Sequence, residues 1–133
     1  MSYQVTKKEE EWREKLSPEQ YRVLREHGTE RPFTGEYYEH YEYGTYSCAA
    51  CDTELFASEN KYSSGCGWPS FWGELETANI EHKRDFSHGM IRTELLCSNC
   101  GSHLGHIFND GPRDKGGKRY CINSVCLNFT PSS

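Results

Sequence analysis

Large apolar residues are scarce in this chain: 21 of its 133 positions are Leu, Ile, Val or Phe, roughly a sixth, a proportion more usual in disordered proteins. The charge needed to hold such a chain open is missing too, because 15 Lys plus Arg against 20 Asp plus Glu leave a net −5. No run approaches the ~20 apolar residues of a membrane span. Met1 to Leu16 is charged throughout rather than basic and then apolar, so neither a transmembrane helix nor a signal peptide is expected, and the chain as given reads as cytoplasmic. Basic clusters are absent as well. Nothing exceeds Lys7-Lys8, which removes the electrostatic footprint of a nucleic-acid or anionic-membrane binder and leaves a peptide or small molecule as partner.

What the chain does hold is 18 aromatics (9 Tyr, 6 Phe, 3 Trp), 12 Gly and 7 Cys. The length suits one folded domain over residues 1–133, with aromatic packing and whatever the cysteines bind replacing the missing aliphatic core. Two short helices should open it. Thr6-Lys-Lys-Glu9 has capping-box spacing, with Trp12 and Leu16 at i and i+4, which suits a helix over about 7–16. Ser17 then serves as N-cap, Pro18 fills the first helical position, Gln20 completes a second box, and Gly28 marks a stop, giving a helical segment of about 7–28.

Beyond Arg31-Pro32-Phe33-Thr34-Gly35, which reads as an extended connector, the pattern becomes short runs between turn residues. Tyr46–Cys48, Glu54–Phe56, Met90–Leu96, Arg119–Asn123 and Cys126–Phe129 read as strands, and Asn109–Lys118 as an exposed loop. A mainly β, antiparallel domain over about 33–130 follows.

Cys48-x-x-Cys51 and Cys97-x-x-Cys100 each place Leu four residues after the second Cys, at Leu55 and Leu104, and look like two copies of one turn. Together they supply a closed tetrahedral four-thiolate shell, the signature of one structural zinc ion with no open position for substrate. The 45 residues between the pairs exceed the usual ribbon spacing. Redox dithiols are the competing reading, and a Cys97, Cys100, His103, His106 set is disfavoured because Cys100 and His103 are too close for an ordinary finger.

Three cysteines remain. Cys66 lies between Gly65 and Gly67, which permit unusual backbone angles and an exposed thiol. Cys121 has the cation of Arg119 two residues before it, which favours thiolate, and Asn123 two residues after. Cys126, between Val125 and Leu127, reads as buried and inert. His103 and His106, three apart and just past the second knuckle, are candidate proton carriers on a metal-rigidified scaffold.

Lys61-Tyr62-x-Ser64-Gly65-Cys66-Gly67-Trp68-Pro69-Ser70-Phe71, His103-Leu104-Gly105-His106-Ile107-Phe108, Asp110-Gly111-Pro112 and Arg119-Tyr120-Cys121-Ile122-Asn123-Ser124 together resemble the type B peptide-methionine (R)-S-oxide reductases, over about Leu16 to Phe129. The resemblance implies a small single domain of two antiparallel sheets with N-terminal helices and a zinc at Cys48, Cys51, Cys97 and Cys100. It implies that Cys121 attacks the sulfoxide and becomes a sulfenic acid, that Cys66 resolves it as a disulfide, and that thioredoxin reduces that disulfide. His103, His106 and Asn123 match the family's proton and hydrogen-bond donors, while Trp68, Phe108 and Arg119 match substrate contacts. Oxidised proteins or peptides carrying methionine-R-sulfoxide are the implied substrates of a monomer. Two positions depart from the family: Ser63 stands where Asp is frequent, and Cys126 where a small residue is usual. A zinc-knuckle binding module without catalysis and a redox switch are the alternatives.

Overall fold

Ser17 shows how local chemistry sets the first elements. Its Oγ accepts from the Gln20 N–H at 3.1 Å, and Gln20 Oε1 accepts from the Ser17 N–H at 2.9 Å, so the expected capping box closes. In the computed structural model, which describes residues 9–75, 78, 80–86 and 89–131, this box starts helix α2 (Pro18–Leu24), preceded by α1 (Glu9–Lys15). Thr6 of the first expected box lies outside the described residues. Helix α2 stops four residues before Gly28: His27 turns left-handed at φ 58, and the Gly28 N–H reaches back to the Arg22 carbonyl. The apolar spacing does its work, because Trp12, Leu16, Val23 and Leu24 are all buried.

Among the described residues nine strands follow, making the protein mainly β as expected: β1 (Gly44–Cys48), β2 (Glu54–Ala57), β3 (Lys61–Tyr62), β4 (Ser70–Phe71), β5 (Ile80–Asp85), β6 (Arg92–Cys97), β7 (His103–Phe108), β8 (Arg119–Ile122) and β9 (Leu127–Pro131). Two antiparallel sheets result, one of order β2-β1-β9 and one of order β3-β4-β8-β7-β6-β5. Strand β5 is polar or charged at five of its six positions and β7 carries His at two of six, so neither shows a clean apolar alternation from which to read a strand. Cys126 sits in a 3-10 turn over Ser124–Cys126 rather than in the last strand, yet it is fully buried.

Aromatic side chains fill the space between the sheets. Phe56 stacks on Phe71 with ring centroids 4.3 Å apart, while Tyr46 meets Phe71 edge-on at 5.3 Å and Tyr120 meets Phe56 at 5.8 Å. Such pairs each add about 0.5–1.5 kcal/mol beyond their area, which is how the chain manages with few aliphatics. Among the described residues no helix is long and apolar enough to cross a membrane.

Candidate active site and metal centre

Cross-strand pairing lays one row of side chains over the outer face of the large sheet: Tyr62, Ser70, Cys121, His106, Glu94 and Lys83 are successive partners. Residues three apart on a strand ordinarily face opposite ways, so His103 should point away from His106. A bulge prevents this. Leu96 pairs with His103 and Leu95 with Gly105, which leaves Leu104 as the extra residue and returns His103 to the face of His106. Their rings lie 5.5 Å apart.

Over this row lies a cavity of about 180 Å³. Its lining combines the aromatic rings of Trp68 and Phe108, the polar groups of His106, Asn123, Arg92 and Arg119, and the thiols of Cys66 and Cys121. The structure thus brings together seven of the eight expected catalytic and substrate-contact residues. His103 is the exception. It lines an adjoining cavity of about 300 Å³ with His27, Asp85 and Glu94, and Arg92 and His106 border both.

The two thiols lie 3.9 Å apart. Cys66 is on the loop between β3 and β4, where Gly65 and Gly67 have φ of 77° and 97°, angles that favour glycine as the sequence suggested. Hydrogen bonding from Cys121, and then from Ser64 and Ser70, draws the Cys66 thiol down to about 4 despite partial burial. The same hydrogen bond, with burial, pushes Cys121 up, and the Arg119 cation only partly opposes that. The two thiols thus oppose each other's ionisation, and Arg119 is the cation that favours thiolate on Cys121. Arg119 is itself held in place: its Nε donates to Asp110 Oδ1 at 2.8 Å, and its guanidinium lies 4.5 Å over the Phe108 ring.

Buried hydrogen bonds fix the remaining walls. The Asn123 Oδ1 accepts from the Glu30 N–H at 2.9 Å, Asn123 Nδ2 donates to the Leu104 carbonyl at 3.1 Å, and Trp68 Nε1 donates to the Glu30 carbonyl at 3.0 Å. Glu30, 2% exposed, also accepts from the Val125 N–H, and burial pushes its carboxyl up. On the other side His106 Nε2 meets Asp85 Oδ2 at 2.8 Å; burial nevertheless holds its pKa below the ordinary value, so it rests neutral at neutral pH. Glu94 Oε2 meets both His103 Nδ1 and His27 Nδ1 at 2.6 Å. Burial alone would raise the Glu94 carboxyl, but its two imidazole partners outweigh that and bring it down to about 2. Sequence reading missed Glu30, His27, Asp85, Arg92 and Glu94. Only Glu94, a charge directly before Leu95-Leu96 in a strand, offered a signal.

The four-cysteine group that could hold a metal ion joins the two sheets, with Cys48 ending β1 and Cys97 ending β6. Cys48 and Cys100 sulfurs are 3.8 Å apart, those of Cys51 and Cys97 3.6 Å, and all four lie within 4.8 Å of one another. Four thiolates at ~2.3 Å from one tetrahedral ion would be about 3.8 Å apart, so the set is sized for a metal. The knuckles are indeed copies of one turn: the Asp52 N–H returns to the Cys48 carbonyl and the Gly101 N–H to the Cys97 carbonyl, both at 2.7 Å, with Asp52 and Gly101 at φ of 64° and 79°. Hydrogen bonds among the four push Cys48 and Cys97 up and draw Cys51 and Cys100 down, a shared-proton arrangement that a cation would replace.

A SelR-domain family profile matches residues 16–131. The chain is 58% identical over 125 residues to the peptide methionine sulfoxide reductase MsrB of Hahella chejuensis, covering 94% of this chain and 89% of that protein. It is 56% identical over 129 residues to the MsrB of Leptospira interrogans, covering 97% and 98%, and 58% identical over 125 residues to that of Methanosarcina barkeri, covering 94% and 87%. With the match running from the helical segment through both knuckles to the last strand, the chain belongs to the SelR-domain, or MsrB, family of peptide methionine sulfoxide reductases.

Proposed function

We propose that the protein reduces methionine-R-sulfoxide in proteins or peptides, with Cys121 as nucleophile, Cys66 as resolving thiol and thioredoxin as the final reductant. The observation that carries this reading is the pair of sulfurs 3.9 Å apart in a cavity lined by both aromatic and polar side chains. Cys121 is held in a paired strand, whereas Cys66 is on a glycine-flanked loop, so Cys66 is the sulfur able to move the remaining distance to a bonded ~2.05 Å.

The Cys121 sulfur attacks the sulfoxide sulfur as its proton passes to His106, its cross-strand partner. The sulfoxide oxygen, protonated as it leaves, transfers to Cys121, and the thioether departs as methionine. One thiol and one sulfoxide thereby give one sulfenic acid and one thioether. His106, backed by the Asp85 carboxylate, is suited to collect a proton and deliver it to that oxygen, and Arg119 and Asn123 supply donors beside it. The Cys66 thiol then attacks the Cys121 sulfur, water leaves, and the disulfide forms. A dithiol partner, thioredoxin in this reading, returns two electrons.

Handedness follows from the walls. The substrate methyl lies against Trp68, whose indole offers a sulfur-bearing side chain about 0.3–1.5 kcal/mol. The mirror epimer would place oxygen on the indole and leave the polar wall unpaired. Zinc is the ion proposed for the four cysteines, with a purely structural part. A monomer in the cytoplasm completes the reading.

Resolved R and S sulfoxides of a methionyl peptide test it. Only the R form should yield product, Cys66→Ser should release one methionine per chain and stop, and Cys121→Ser should release none. If Cys121→Ser gave the single turnover and Cys66→Ser did not, the two roles would be exchanged.

A further inference from the structure

We infer that His27, Glu94 and His103 form a second metal site, distinct from the four cysteines, for a borderline divalent ion such as zinc or cobalt. The donor atoms of these three residues lie within 4.8 Å of one another, two imidazoles and one carboxylate. That ligand set, with open positions left to water, is one that zinc and related ions accept.

The internal geometry points the same way. One oxygen, Glu94 Oε2, is met at 2.6 Å by Nδ1 of both His27 and His103. Two protons are thus aimed at a single anionic atom, and a divalent ion can take the place of both. Coordination at 2.0–2.2 Å requires each N···O distance to open by roughly 0.7 Å. The Glu94 and His27 side chains can supply this, since the His27 side chain is 55% exposed. His103 is 2% exposed and its Nε2 is buried without a hydrogen-bond partner, so moving its proton from Nδ1 to Nε2 displaces no other contact and gives up one bond, that from Nδ1 to Glu94, which the ion replaces. The approach is open, because the three residues border the 300 Å³ cavity and His27 stands at its rim.

Local charge is mixed. Lys83 is the cross-strand neighbour of Glu94, Arg25 is close to His27, and Arg92 lies across the cavity with its charge directed at Asp85 by a 3.3 Å ion pair. A site in this field suits an ion bound by nitrogen donors rather than calcium or magnesium, which need several oxygens. Occupancy would also tie His103 to the metal.

The test uses full-length protein with its four-cysteine site filled and with Cys66→Ser and Cys121→Ser, so that the free thiol pair cannot bind the probe. Titration with Co2+, followed by visible absorption and by equilibrium dialysis, should show one further equivalent whose spectrum lacks sulfur-to-metal charge transfer. His27→Asn keeps a residue that tolerates φ 58 and should weaken that equivalent at least about tenfold, as should Glu94→Gln, with the cysteine-bound metal unchanged. Failure to bind an extra equivalent, sulfur-type absorption for it, or unchanged affinity in His27→Asn would each overturn the assignment.

Discussion

Gly105→Ala should damage the site without touching any reacting group. Gly105 pairs with Ile122, one residue along from the His106 and Cys121 pair. It is not among the positive-φ glycines, so its backbone accepts alanine and the cost is one of space alone. A Cβ there would lie 2.0 Å from the Cys121 carbonyl oxygen and 3.0 Å from both the Cys121 carbonyl carbon and the Ile122 Cα. Both partners are backbone in the middle of a sheet, so β7 and β8 must separate by roughly 1 Å to relieve the overlap, at a cost near the top of the 1–3 kcal/mol usual for overpacking. Because Cys121 moves with its carbonyl, a displacement of that size should lower kcat/KM on an R-sulfoxide peptide about 100-fold. Urea denaturation and steady-state kinetics measure the two effects, and metal content checks that the knuckles survive. Gly65→Ala is the control: it meets no atom within 4 Å but has φ 77, so it should cost about 1 kcal/mol of backbone strain and leave the strands in register. Kinetics of Gly105→Ala within twofold of the parent, with stability unchanged, would refute the reasoning.

Three further outcomes are expected. Cys97→Ala should lose the bound metal and unfold at moderate temperature, since apparent structural zinc binding is worth about 10–16 kcal/mol; elemental analysis with thermal melting checks this. Glu94 titrates in the folded protein below its ordinary value, so its stabilisation is present above about 4.5 and is lost as pH falls toward about 2. Glu94→Gln should accordingly be less stable at pH 6 and show a shallower acid-unfolding curve in that window. With hydrogen bonds from Cys121, Ser64 and Ser70 drawing the Cys66 thiol down to about 4, iodoacetamide at pH 6 should alkylate Cys66 before Cys121, which peptide mapping by mass spectrometry reads directly.

The helical opening was legible because caps and apolar spacing are local codes: Ser17, Pro18 and Gln20 act within one turn of one another. The knuckles were legible for the same reason, each being a short hydrogen-bonded turn with its ligands inside it. Cys66 and Cys121 could be singled out by their neighbours, but their 3.9 Å approach depends on the pairing of Ser70 with Cys121, which nothing in either motif encodes. Arg119 acts on Cys121 from two residues away, whereas the larger influence on that thiol, Cys66, is near only in space. Glu30 was invisible because its importance lies in the backbone groups it presents to Trp68 and Asn123, and a backbone has no letter of its own.

The unpaired Leu104 makes this stretch sensitive to length as well as to identity. Adding one residue between His103 and His106 without a second bulge would turn one histidine to the opposite face, whereas deleting Leu104 would straighten β7 and keep both on one face, two residues apart. Conservative replacements of Leu104 should be tolerated far better than an added residue there, whereas insertions in the exposed segment around Gly116 and Gly117 should pass with little effect. The spacing from Cys100 to His106 thus acts as a ruler, and grafting this histidine pair onto another knuckle would require copying the interval along with the residues.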